Sequence, residues 1–158
     1  DSLWDMFVAD AFLGNFDRHY GNMGTLVAVV QHFGEIAPIY DCGSCLFPQM
    51  DQAGMQTVLN DEKEINQRIY VFPTAAILEN ENKISYFDYI SSLKNEDCNR
   101  ALKRIVGRID MDILNKLVEE TPMITDTQKD FYKVMLSERK KKILDYSMAL
   151  LLKQELSL

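Results

Sequence analysis

Asn15-Phe16-Asp17-Arg18-His19-Tyr20-Gly21-Asn22, followed by Tyr40-Asp41-Cys42-Gly43, is the stretch on which the reading of this chain turns. It sets an Asp and an Asn five residues apart, then a second Asp next to a Cys-Gly pair after one hairpin's length of sequence. Phosphoryl transfer needs this set of groups. One carboxylate orients or deprotonates an attacking hydroxyl, while an amide oxygen and a second carboxylate hold the magnesium that bridges nucleotide phosphates.

On the N-terminal side, Leu3, Trp4, Phe7, Val8, Ala11 and Phe12 recur at three- and four-residue steps, which predicts an amphipathic helix over 2–13. Gly14 ends it, and 15–24 reads as a polar loop. Thr25 to Val30 reads as a short buried strand, Phe33-Gly34-Glu35 as a turn, and Ile36 to Tyr40 as a second strand. Pro38 marks that second strand as an edge or an irregular stretch. Asp41 thus emerges at the end of a small hairpin.

Further along, residues 46–56 lack periodicity and contain Pro48 and Gly54, so they read as a loop lying across the site. Residues 61–72 and 74–79 are ambiguous and lean to helix. Clearer helices cover 86–93 and 96–109, Asp110 caps a short one, and Thr125-x-x-Gln128 is a capping-box pattern opening a long one. The charged run Glu138 to Lys142 interrupts that last apolar stripe, so Arg139-Lys140-Lys141-Lys142 reads as a solvated face. The expected fold is mainly α with a small β-hairpin, in a single domain over 1–158.

Composition narrows the function classes. A chain of 158 residues, 47% hydrophobic and 26% charged, has the make-up of an ordinary soluble globular domain. No apolar run approaches membrane-spanning length, and no secretory leader pattern opens the chain, so no membrane partner is expected. Three unevenly spaced cysteines do not make a disulfide framework and fit a reducing cytoplasm. The chain opens on Asp1 without an initiator Met, already inside a helical pattern, which points to a piece of something longer.

A net charge of −7 without a basic stripe argues against direct nucleic-acid binding. Residues 1–60 hold seven acids and one base, Arg18, whereas 61–158 hold 17 acids and 16 bases. The acid-rich front suits cations. It offers no Lys for a triphosphate, and no GxGxxG or GxxxxGK[ST] occurs anywhere in the chain.

Protein kinases keep the same five-residue step between a catalytic Asp and a metal-binding Asn, then an Asp-x-Gly. The predicted order of helix, polar loop, hairpin and Asp is also that of a kinase C-terminal lobe. The two strings, the second running Ile36-Ala37-Pro38-Ile39-Tyr40-Asp41-Cys42-Gly43-Ser44, resemble the C-terminal lobe of HipA-like serine/threonine kinases. The resemblance is close over 3–44 and loose over the rest.

It implies transfer of the γ-phosphoryl group of ATP to a protein hydroxyl, with ATP and Mg2+ as cofactors and a protein as substrate. It also implies an N-terminal kinase lobe, from the same chain or another. Asp17 matches the catalytic Asp, and Asn22 and Asp41 match the magnesium- and cofactor-binding pair. Arg18 and His19 match positions of the catalytic motif that organise the loop. The nucleotide-binding Lys and phosphate-covering loop of an N-terminal lobe have no counterpart in this sequence.

Plainer readings stand beside these. A single loop Asp or Asn is most often a turn former; here all three groups sit in the kinase order. His19 reads more readily as a loop histidine with a satisfied backbone bond than as an acid or base, and Arg18 as a neutraliser of nearby acids. Cys42-Gly43-Ser44-Cys45 is a C-x-x-C, yet zinc needs two further ligands and only Cys98, His19 and His32 remain. A thioredoxin-type redox pair needs a βαβ unit that the pattern lacks. A noncatalytic regulatory module in a toxin–antitoxin setting is the alternative function. A lipid-kinase-like lobe is disfavoured because residues 46–60 carry no Lys or Arg.

Overall fold

The computed structural model describes residues 2–27, 34–36, 38–79 and 81–157. Helix α1 spans Ser2–Leu13, and a single 3-10 turn, Tyr20–Asn22, lies in the loop after it. Strands β1 (Thr25–Val27) and β2 (Gly34–Ile36) pair antiparallel, with Thr25 opposite Ile36 and Val27 opposite Gly34. The expected strand residues 28–30, and Phe33 and Ala37, lie outside the described residues. Gly34 and Glu35, expected in the turn, are strand residues. The second strand ends at Ile36 rather than running to Tyr40. Pro38 has no N–H to give a ladder, and 38–40 are irregular.

Residues 52–56, expected as loop, open helix α2 (Gln52–Leu59). Asp51 caps it by accepting from the Gly54 N–H at 2.8 Å, and Met55 and Val58 are buried beneath. Burial of two apolar side chains outweighs the roughly 1 kcal/mol that one helical glycine costs. Helix α3 (Glu62–Asn66) runs on into a π-turn, Gln67–Val71.

Residues 74–79, which lean to helix by composition, form strand β3 (Thr74–Glu79), paired with β4 (Asn82–Ser85). Ala75 and Ile84 are buried, and this second hairpin seats them on the core. Tertiary pairing overrides a weak local preference here. Two hairpins, rather than one, therefore interrupt the helices among the described residues.

Helices α4 (Tyr86–Ser91), α5 (Glu96–Val106) and α6 (Met111–Glu120) follow, capped by Ser85, Asn95 and Asp110. The expected capping box is present at Thr125 and Gln128, at the head of α7 (Asp126–Arg139). A π-turn over Lys140–Asp145 joins α7 to α8 (Tyr146–Glu155) without a break. The basic run is only in part the solvated face expected of it: Lys141 is exposed. Arg139 is fully buried, and Lys140 and Lys142 pair with Asp145 and Glu138. Burial of the Arg139 guanidinium pushes its pKa down to about 10.

Two apolar clusters hold the elements. The larger gathers Phe7, Val8, Ala11 and Phe12 of α1 against Ala101 and Leu102 of α5 and Leu136, Ile143 and Leu144 of the last helix. The smaller joins Phe47, Met55 and Val58 to Phe131 and Met135. Each Val, Leu, Ile, Phe or Met side chain among them contributes about 1.5–3 kcal/mol when fully buried. Because one face of α1 lies in the larger cluster, the C-terminal end of that helix is a rigid base for the loop that follows. Among the described residues, no helix is long and apolar enough to cross a membrane.

Candidate active site

The loop begins where α1 must stop. Gly14 takes φ +67°, a left-handed conformation that glycine adopts without penalty. The Asn15 N–H then returns to the Asp10 carbonyl at 3.0 Å, closing a Schellman-type end to the helix. Asn15 is buried and its polar groups are used. Its Nδ2 donates to Asp10 Oδ1 at 3.0 Å, its Oδ1 accepts from the Asp17 N–H at 3.0 Å, and its carbonyl accepts from the Tyr86 hydroxyl at 2.8 Å. Asp17 is thereby presented at the tip of the loop, exposed to solvent.

Arg18 points the other way. Its guanidinium donates from Nε to Asp10 Oδ2 at 2.9 Å and from Nη2 to Asp10 Oδ1 at 3.1 Å. Nη1 donates to the Asn22 carbonyl at 3.2 Å and to the Tyr40 carbonyl at 2.6 Å. Nη2 also reaches Cys42 Sγ at 3.7 Å. One planar, rigid cation thus ties the loop to the segment carrying Asp41. Hydrogen bonding and charge from Asp10 hold Arg18 protonated against the cost of its burial. Asp10 was not singled out in the sequence. The available signal was a carboxylate set among the buried apolar residues of α1, where an acid requires a partner.

Asn22 is buried, and its Nδ2 donates to the Asp17 carbonyl at 2.9 Å. With the donor end of the amide committed, the oxygen is the end suited to a cation. The Tyr40 hydroxyl donates to the Gly21 carbonyl at 3.0 Å, a second strap across the same gap. Asp41 follows at φ 54°, exposed, in a left-handed conformation that Asp tolerates better than most side chains. His19 is exposed, and its Nδ1 accepts from the Gly21 N–H at 3.0 Å, which places the proton of the neutral ring on Nε2. A Cβ at Gly21 would lie 2.8 Å from the exposed His19 ring, so a side chain there would push the imidazole off the Gly21 N–H.

Asp17, Asn22 and Asp41 are therefore carried on two segments fastened by Arg18 and Tyr40. Among the described residues, no group of three or more His, Cys, Asp or Glu forms a metal cage. A carboxylate and an amide oxygen instead fit a hard cation such as Mg2+, which takes most of its ligands from water and phosphate. Beside Phe16 opens a cleft of about 440 Å3, lined by Phe16, Phe47, Met50, Arg68 and Phe72 among others. Its floor is aromatic, with the Phe16 and Phe72 rings 5.7 Å apart and Phe47 and Phe72 6.2 Å apart.

All three cysteines are free thiols. Burial pushes Cys45 and Cys98 up to about 12. His32, one of the further ligands that zinc at the C-x-x-C would call on, lies outside the described residues.

No family model matches the chain. A serine/threonine-protein kinase, CtkA, of Helicobacter pylori is 49% identical over 144 residues, which make up 90% of this chain and 44% of that kinase. The crystal structure of a Helicobacter pylori proinflammatory kinase CtkA matches with a TM-score of 0.92 and 47% identity. That match covers 99% of this chain and 56% of the solved one. This chain spans about half the length of the relative it matches. By sequence and by fold the chain is similar to about half of the serine/threonine-protein kinase CtkA, and its mostly helical architecture is kinase-like.

Proposed function

We propose that this chain is the C-terminal lobe of an ATP-dependent serine/threonine kinase, acting together with an N-terminal nucleotide-binding lobe from the same polypeptide or another. The reading rests on one observation above the others: Arg18 binds the backbone of Asn22 and of Tyr40 with a single nitrogen, at 3.2 and 2.6 Å. That contact fixes the relation between the two segments whose side chains phosphoryl transfer would use.

In this role Asp17 accepts or orients the proton of a protein hydroxyl, and its exposure leaves room for that substrate. Asn22 Oδ1 and the Asp41 carboxylate would hold Mg2+, which would supply positive charge to offset that of the nucleotide phosphates. Arg18 and His19 act on the loop rather than on the substrate: Arg18 by its fork, His19 by holding the Gly21 N–H. The aromatic cleft next to Phe16 offers a surface for the protein segment around the hydroxyl. A cytoplasmic setting accords with the free thiols.

The test is radiolabelled γ-phosphoryl transfer to protein serine or threonine, in an assembly that includes the N-terminal lobe. Asp17→Ala is expected to lower turnover by about 10²–10⁴-fold. Asp41→Ala is expected to lose transfer and to need more Mg2+ for any residue of it. Asp17→Ala is at an exposed side chain and leaves the unfolding midpoint in place, while Asp41→Asn, which tolerates the same left-handed backbone, controls for the strain of Asp41→Ala. Near-normal turnover in either alanine variant overturns the assignment.

A further inference from the structure

The turn that follows Asp41 carries two thiols, and the activity proposed above uses neither. Cys42 is exposed and Cys45 half-buried. The Cys45 N–H donates to the Cys42 carbonyl at 3.1 Å, closing a turn over Gly43 and Ser44. A hydrogen-bonded turn of four residues keeps its end Cα atoms within about 7 Å, and a disulfide spans about 4.4–6.8 Å. The turn is also uncrowded. A Cβ built on Gly43 would meet nothing nearer than Asp41 Oδ1 at 3.9 Å, so the tip of the turn is open.

The Cys42 sulfur has a second connection. It accepts from Arg18 Nη2 at 3.7 Å, the guanidinium that also holds the carbonyls of Asn22 and Tyr40. Any change at this sulfur is therefore felt on both sides of Asp41: through the peptide chain, and through the Arg18 fork. Cys98 does not compete, because it is buried between α1 and α5 in the larger cluster.

We propose that Cys42 and Cys45 are a dithiol modification site, oxidised by hydroperoxides to an intrachain disulfide that draws Cys42 from Arg18 and displaces Asp41. The chemistry runs in two balanced steps. Cys42 sulfur attacks the peroxide O–O bond, giving a sulfenic acid and water, or an alcohol from an organic peroxide. Cys45 sulfur then attacks the sulfenic sulfur, forming the S–S bond and releasing a second water. Two thiols lose two electrons and two protons in total, and the peroxide takes up both. The exposure of Cys42 places the product among the labile disulfides that a cellular thiol reduces by exchange. The consequence for phosphoryl transfer rests on the function proposed above; the site itself does not.

The experiment treats the folded protein with hydrogen peroxide, alkylates under denaturing conditions, and maps the peptides by mass. The expected result is a peptide holding both Cys42 and Cys45 that has lost two hydrogens and takes no alkyl group, while Cys98 is alkylated. The amide resonances of Asp41 and Asn22 shift on oxidation and return with dithiothreitol, and Cys42→Ser, which removes the thiol that peroxide attacks, shows neither the crosslink nor the shifts. Failure to form the crosslink, or a crosslink that leaves those two amides unmoved, overturns the proposal. In the assembly with an N-terminal lobe, transfer is expected to fall on oxidation and recover on reduction. If reduced protein shows no transfer while crosslink and shifts appear, the kinase reading fails and the dithiol site stands.

Discussion

Arg18 grips Asp10 with two parallel hydrogen bonds, Nε to Oδ2 at 2.9 Å and Nη2 to Oδ1 at 3.1 Å, in a site where both side chains are buried. A guanidinium matches a carboxylate in this way because both are planar forks; an ammonium would supply only a point charge. Removing one partner leaves the other charged and uncompensated in a place that water does not reach. Asp10→Ala is expected to lower stability by about 3–5 kcal/mol, and Arg18→Lys to recover little of the loss caused by Arg18→Ala. Urea unfolding of the single and double variants checks this: the double should cost clearly less than the sum. Additive losses would mean that the pair is not coupled.

A hydroxyl on the far side of the core steadies the same loop. Tyr86 donates to the Asn15 carbonyl at 2.8 Å in a buried setting, and its ring packs 5.1 Å from that of Phe7. Tyr86→Phe keeps the ring and strands the carbonyl. A loss of about 1–3 kcal/mol follows from the unmet acceptor. The urea midpoint measures it, and an unchanged midpoint would show that water replaces the hydroxyl.

At Gly14 the backbone conformation, rather than lack of space, opposes a side chain. Its φ is +67°, and an added Cβ would sit 3.4 Å from Arg139 Nε. Gly14→Ala should cost about 1–2 kcal/mol from the left-handed backbone. If thermal unfolding of Gly14→Ala matches the parent, the helix end does not depend on that conformation.

Alkaline pH should weaken the fold through a buried thiol. Burial raises Cys98 from 9.0 to about 12. Above pH 9 the unfolded chain releases a proton there that the folded chain retains, so stability falls as pH rises from 9 toward 12. The slope from one such group is at most about 1.4 kcal/mol per pH unit. Cys98→Ala removes this contribution, so its stability should fall less steeply than the parent's over that window. Parallel profiles would exclude Cys98 as the source.

The parts of this architecture that depend on near neighbours were legible in the sequence. The stripe from Leu3 to Phe12, the stop at Gly14, the cap at Asp110 and the Thr125–Gln128 box are all found where local spacing places them. Asp17, Asn22 and Asp41 could also be selected by type and spacing. The clasp that joins their segments could not. Arg18 meets Asp10 eight residues back and Tyr40 twenty-two residues on, and Tyr86 reaches Asn15 across seventy-one. Arg139 shows the same limit. Within a run of four bases it looks solvated, and only the folded chain brings the Ala11 and Arg68 carbonyls to it. Strand β3 was obscured because Ala75 and Ala76 favour helix, while its partner strand lies in the following segment.

The helix that runs unbroken from Asp126 to Glu155 passes through both apolar clusters. Phe131 and Met135 belong to the smaller, and Leu136, Ile143, Leu144 and Leu151 to the larger. Met135 and Leu136 are adjacent residues, so the border between the clusters falls inside a single helical turn. Fraying the rod on one side of that border removes its support on the other, which makes the two clusters one cooperative unit in melting. Heat should therefore release the aromatic cleft and the Arg18-bound loop in the same transition, and a calorimetric scan should show one peak rather than two.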